Sequence, residues 1–280
     1  MGKMRLKTVA ISVCFRAFAA MSVAAIIQGC EKEIDFKYHD IEPVTVIEGA
    51  LSQTGGCVSI TMTTPMDEPM NTNRITDAEV VLTDVTDGKP VELTVDESGD
   101  FVSDQGGVAG HTYELCVRRA GHMFTSRSTM AMPTEVTGMQ FQWIKMPYDY
   151  VAVLQVTFTD NPKQAGDCYW VRIYRNGEPY HWSVVNDDMA VAGRVDEVIM
   201  TSRKDLDKEE EDEALRDGDV VSARVAPIGR EMFDYLSALT SGGNNGPRMF
   251  EGDFCLGYFL AAPVAEGETV FHPDDLSVFE

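Results

Sequence analysis

Gly110-His111-Thr112-Tyr113-Glu114-Leu115-Cys116-Val117 is the stretch that decides the fold. Tyr113, Leu115 and Val117 alternate with other residues, so they share one face of a strand, and that face is apolar. Working outward, five strand-like runs precede it: Val44–Leu51, Cys57–Thr63, Glu79–Val85, Pro90–Val95 and Phe101–Val102. Met123–Met130 follows it after Arg119-Ala120-Gly121-His122. Seven short runs spaced by roughly ten residues and broken by Gly, Asp and Pro predict an antiparallel β-sandwich of the immunoglobulin type. Tyr113, in phase with the core near the start of the sixth run, stands where a tyrosine corner would sit. Pro133 closes this first domain, predicted over 43–133.

The remainder, 134–280, is predicted as a second β-rich domain. Met139–Trp143 alternates, and Tyr169–Arg175 runs into Asn176-Gly177, a strong hairpin signal. Asp219–Ile228 is a further strand. Met232, Tyr235, Leu236 and Leu239 recur at helical spacing and Ser241-Gly242-Gly243 stops them, which predicts one short amphipathic helix. Met249–Pro263 returns to strand character, and the tail reads as loop. The fold class is therefore mainly β.

The N-terminus is of another kind. Met1–Lys7 is basic, Thr8–Ile27 is mostly apolar, and the segment ends Gln28-Gly29-Cys30. This is the pattern of a cleaved export signal over 1–29. The Gly29-Cys30 step resembles a lipobox, with lipid attached to the Cys30 thiol. The uninterrupted apolar run Ala17–Ile27 holds 11 residues, against about 20 needed to span a bilayer. Residues 30–42 read as a tether. Within it, Lys32, Glu33 and Asp35 resemble a surface-export signal close behind a lipidated cysteine.

Charge narrows the partners. The chain carries 23 basic and 45 acidic residues, a formal −22. Four of the basic groups lie in 1–29, so the mature part has 19 against 45 and a formal −26. Such a chain repels nucleic acid and anionic headgroups, so attachment to the outer membrane has to come through lipid on Cys30. The acidic run 205–213 reads as a solvated loop; it lacks the glycine-turned spacing of a calcium loop.

Cys57, Cys116, Cys168 and Cys255 remain in the exported chain, where disulfides can form. Cys57 and Cys116 are both out of phase with the apolar faces of their strands. No Cys57–Cys116 bridge through the core is therefore expected.

No nucleophile elbow, phosphate loop, paired zinc ligands or dinucleotide glycine fingerprint occurs in the sequence. No catalytic residue, metal ligand or cofactor is nominated. Aromatics are the better lead. Trp170 and Tyr174 share the face opposite Tyr169, Val171 and Ile173, and Trp182 lies across the predicted hairpin. These three either meet a ligand or partner, or pack on the first domain.

Several stretches together resemble the Bacteroidota lipoproteins of domain-of-unknown-function family 4249. They are the lipobox with Cys30–Asp35, Val46-Ile47-Glu48-Gly49, Asp77-Ala78-Glu79-Val80, Gly110–Leu115, Ser128-Thr129-Met130, Tyr169–Gly177, Phe233-Asp234-Tyr235-Leu236 and Leu256-Gly257-Tyr258-Phe259. They fall in order over nearly the whole mature chain. The resemblance carries no catalytic residues. It implies a surface-exposed accessory of nutrient uptake, partnered with a TonB-dependent receptor. Two other functions stay open: an adhesin or fimbria-like subunit, and a hydrolase with an unrecognised carboxylate pair.

Overall fold

The computed structural model describes residues 42–65, 73–147, 150–160, 166–203, 214–242 and 246–279. Cys30, Lys32, Glu33, Asp35 and the acidic run 205–213 lie outside them. No helix among the described residues is long and apolar enough to cross a membrane.

The chain is mostly strand, as its alternation demands. Eight strands form the first sandwich in sequence order: β1 (Thr45–Leu51), β2 (Gly56–Met62), β3 (Glu79–Asp84), β4 (Lys89–Val91), β5 (Thr94–Val95), β6 (Phe101–Ser103), β7 (Thr112–Arg119) and β8 (His122–Thr129). One sheet contains β1-β2-β6-β5 and the other β8-β7-β3-β4. This arrangement matches the ABED and CFG sheets of an immunoglobulin-like sandwich, with β4 added beside the third strand. Ile47, Val58 and Ile60 from one sheet bury against Leu82, Leu115 and Val117 from the other. Tyr113 is 2% exposed, and its hydroxyl accepts a hydrogen bond from the Val108 backbone N–H at 2.8 Å. That contact, five residues upstream at the turn into β7, is the tyrosine corner.

The second sandwich repeats the plan. Its strands are β9 (Val136–Lys145), β10 (Tyr150–Thr159), β11 (Cys168–Arg175), β12 (Glu178–Asn186), β13 (Arg194–Arg203) and β14 (Val220–Ile228), followed by helix α1 (Arg230–Thr240). Four short strands complete the chain: β15 (Glu251–Gly252), β16 (Leu256–Ala261), β17 (Ala265–Val270) and β18 (Val278–Phe279). The sheet β13-β10-β9-β18 faces the sheet β12-β11-β14-β17. Leu154, Val156 and Phe158 bury against Tyr169, Val171 and Ile173.

Two expectations are corrected. The tail is not all loop, because β17 pairs antiparallel with β14 over six residues. The domain boundaries also differ from 43–133 and 134–280. β16 pairs in parallel with β1, Val46 opposite Leu256 through Leu51 opposite Ala261. β15 pairs with β8. The first sandwich is thus finished by residues more than 100 positions downstream of Pro133. The physical reason is an open flank: β1 and β8 are the outer strands of their sheets, and Phe259 and Ala261 bury between them in the same core. Ser128 on β8 reaches across, its hydroxyl accepting from the Ala261 N–H at 2.9 Å. Covering an edge in this way also removes a template for aggregation.

Cys57 and Cys116 lie on β2 and β7, in opposite sheets, and both are free thiols, as are Cys168 and Cys255.

The Asn176-Gly177 hairpin is built as its sequence requires. Both residues have positive φ, 51° and 88°, the demand of a type I′ turn. Asp219 ties this turn to β14. It accepts from Arg175 Nε at 2.7 Å, Asn176 Nδ2 at 2.8 Å and the Arg216 N–H at 2.7 Å. Burial pushes the Asp219 carboxyl up, but these donors outweigh it and hold the group below the ordinary carboxylate range. A carboxyl whose pKa falls on folding stabilises above its unfolded value of about 4, and that contribution disappears as pH drops through the folded value. Asp219→Asn is expected to lose about 1.5–3 kcal/mol at pH 7. The gap to wild type should close as pH falls toward 3, read from urea midpoints at the two pH values.

Candidate functional site

The outward face of β11 carries Cys168, Trp170, Arg172 and Tyr174, because the strand alternates and its other face is core. Register sets their neighbours. Trp182 on β12 stands opposite Arg172, Arg172 stands opposite Arg224 on β14, and Arg224 stands opposite Glu266 on β17. One row across this sheet therefore reads Trp182, Arg172, Arg224, Glu266.

The upper part of the face is a joint. Trp170 meets Trp182 edge-on at 6.2 Å between centroids, and Tyr258 of β16 edge-on at 5.9 Å. Tyr235 of α1 lies 6.0 Å from Tyr258. Beneath them, Cys168, Ala226, Ile228, Met232, Leu236 and Leu260 form a buried apolar cluster of their own. The amphipathic helix exists to cover this seam, with Met232 and Leu236 as its buried stripe. Burial pushes the Tyr258 hydroxyl up to about 12, with help from Glu48, its register partner on β1. A neutral phenol suits a junction core. Trp170 and Trp182 are thus occupied by packing on the strand that completes the first sandwich.

Below the joint the two sandwiches part and leave a groove of about 660 Å³. One wall is the β1–β2 hairpin, including Ser52, Gln53, Thr54 and Cys57, with Ser103 beside it. The other wall is Arg172, Arg224, Val264 and Glu266. Gln53 fastens the rim: its side-chain amide donates to the Val264 carbonyl and accepts from the Val264 N–H, both at 2.8 Å. Gly106 is required beneath the hairpin, since a Cβ there would lie 2.0 Å from the Gln53 carbonyl oxygen.

No family model and no curated protein matches the sequence. Solved structures are similar at low identity, three of them as follows. A two-domain fibronectin type-III segment of chicken tenascin is 14% identical, covering 67% of this chain and 91% of that one, with a TM-score of 0.22. The BSP domain of a biofilm associated protein is 12% identical over 65% of this chain and 27% of that one, at 0.23. The FN1–FN3 domains of chicken CNTN1 are 14% identical over 78% and 66%, at 0.20.

The arginines of the groove differ in their state. Arg224 donates to Glu266 at 2.9 Å and lies 4.7 Å over the Tyr174 ring. Arg172 lies 4.5 Å over the Trp170 ring, and its Nε is buried with no hydrogen-bond partner among the described residues. Like charges directly opposite across a strand pair repel, yet Arg172 and Arg224 are so placed. The groove's lining has one carboxylate, Glu266, already engaged by Arg224. A facing pair of acids, the geometry that glycoside hydrolysis needs, is not built into that lining.

Of the sequence-nominated aromatics, Tyr174 borders the groove through Arg224, while Trp170 and Trp182 hold the joint above it. Arg172, Arg224 and the 52–57 hairpin were not nominated. A signal for the first existed: Trp170, Arg172 and Tyr174 share one face by simple alternation. Among the described residues, two groups elsewhere lie close enough to face a cation, Asp84 and Asp87 with His111, and Asp160, Asp167 and Asp187. In the first, Asp84 is already taken up by His111 and by the Thr86 and Asp87 N–H groups.

Proposed function

We propose that this chain is a surface-exposed outer-membrane lipoprotein that captures a ligand for a TonB-dependent uptake receptor, or docks on that receptor as its accessory. The observation that supports capture best is the groove, whose two walls come from different sandwiches fastened together by Gln53 and by β16. A cleft between rigid bodies is where small ligands are commonly held. The sequence supports the anchor, through Gly29-Cys30, and the orientation, through Lys32, Glu33 and Asp35. Two or more acyl chains on one cysteine make attachment stable, where a single chain binds only marginally. Acidity repels the headgroups, so the body is held off the bilayer and presents its groove to solvent.

Three readouts test this in cells of a Bacteroidota host carrying the tagged chain. A palmitate analogue should label wild type and not Cys30→Ala. Protease added to intact cells should remove the tagged chain. A TonB-dependent receptor should co-purify after mild detergent extraction. Labelling that survives Cys30→Ala, or protease protection together with no outer-membrane partner, would overturn the proposal.

A further inference from the structure

We infer that the groove between the sandwiches is an anion site whose Arg172 holds the carboxylate of a small polar ligand. The inference rests on the groove being the capture site proposed above, and it names the chemistry of what is captured.

The argument begins from charge. In a chain with 45 acidic and 23 basic residues, carboxylates are plentiful. Arg119, Arg127, Arg175 and Arg230 each hold one. Arg172 holds none among the described residues, although it is half-buried and its Nε is shut off from water without a partner. Burying a cation is costly unless an acceptor compensates it. Its strand neighbour makes matters worse, because the residue opposite is Arg224. A structural role alone would be served by an uncharged residue of the same length stacked on Trp170.

The balance in the groove is specific. Glu266 neutralises Arg224. One positive charge is left over, facing a space of about 660 Å³. A monoanion fits that balance. A phosphate dianion would bring a surplus negative charge beside Glu266. The guanidinium is planar and backed by the Trp170 indole, so its orientation is set before a ligand arrives, and its fork matches a carboxylate. The facing wall is hydroxyl and amide: Ser52, Thr54, Ser103 and the Gly55–Gly56 backbone. That wall suits a hydrogen-bonding body, with Ala50 and Cys57 adding apolar surface beside these groups. The carboxylate can come from an acidic sugar or from an acidic peptide, and the test separates the two.

The test is titration calorimetry on the full mature chain from Cys30 in detergent micelles. Four probes are used: a galactose trisaccharide with a single galacturonate residue, an acetylated and amidated Gly-Glu-Gly peptide, a neutral galactose trisaccharide and inorganic phosphate. Binding by one carboxylate probe, with phosphate and the neutral saccharide weaker by at least about tenfold, supports the inference and identifies the source. Arg172→Gln should weaken that probe by roughly 10- to 100-fold, the scale of a lost charge-assisted hydrogen bond. Arg127→Gln, an exposed ion-paired arginine of the first sandwich, should leave it unchanged. If Arg172→Gln does not fold, Thr54→Trp, which fills the groove from its exposed rim, must abolish binding. The inference is overturned if neither carboxylate probe binds, if phosphate or the neutral saccharide binds as tightly, or if the groove variants keep wild-type affinity. Binding in micelles is independent of where the chain sits in the cell. Failure here therefore leaves the anchoring and surface tests standing, and failure there leaves this result standing.

Discussion

Gly257→Ala is expected to detach β16 and unfold the first sandwich. Gly257 sits opposite Ile47 in the parallel β1–β16 pair, with φ at +101°. That region is open to glycine and strained for any residue with a Cβ. Space forbids the change as well: a Cβ there would stand 1.9 Å from the Ile47 carbonyl oxygen and 2.7 Å from its carbon. These are backbone atoms in the middle of a strand, so they cannot swing aside as a flexible side chain could. The strand has to move, and Phe259 and Ala261 leave the core with it. Losing one buried phenylalanine typically costs about 3–5 kcal/mol, and the β1–β16 hydrogen bonds are lost too. Against a usual margin of about 5–15 kcal/mol, the variant should melt far below wild type or accumulate as aggregate. A Gly257→Ala protein with a wild-type melting temperature would contradict this.

A fragment cut at the boundary suggested by the sequence, residues 43–133, is expected not to fold. It keeps every strand that reads as the first domain, including the tyrosine corner. It lacks Phe250, Cys255, Phe259 and Ala261, all at most 5% exposed and all part of one core with Ile47 and Leu115. Gly49 shows how tight that contact is, since a Cβ there would meet both Leu115 Cδ2 and Phe259 Cδ2 at 3.0 Å. Removing two buried aromatics leaves a cavity, an apolar patch and an unpaired edge on β1. The fragment should show poor amide dispersion by NMR and a tendency to aggregate. A fusion that restores residues 246–262 through a flexible linker should regain dispersion. A well-dispersed 43–133 would show the completing strand to be dispensable.

These effects explain where the sequence is legible and where it is not. Tyr113 could be placed because its information is local: alternation and an upstream turn suffice. The same holds for Asn176-Gly177, whose backbone demands are met within two residues, and for Met232 and Leu236, spaced for a helix. Leu256–Ala261 could be read as a strand but not assigned a partner. Its pairing with β1 spans more than 200 residues, and nothing within either segment names the other. Ala265–Val270 reads as loop because Glu266, Gly267 and Glu268 look nothing like a core strand. It lies at the edge of its sheet, and edge strands keep polar residues. The aromatics were legible as a shared face, yet whether that face met a ligand or a neighbour depended on Tyr258 arriving from β16. The groove was hidden for the same reason. Arg172 and Arg224 become neighbours only through the β11–β14 register, and Ser52 and Thr54 come from another sandwich.

Both the groove and the joint exist only if β16 binds the two sandwiches into one body. Hydrogen exchange of the native protein in rising urea reports this directly, because opening free energies are read segment by segment. The amides of 47–51 and 256–261 should share one opening free energy, and in Gly257→Ala both should lose protection together. If 256–261 exchanges at low urea while 47–51 stays protected, β16 is an accessory strand and the groove wall it supports is not fixed.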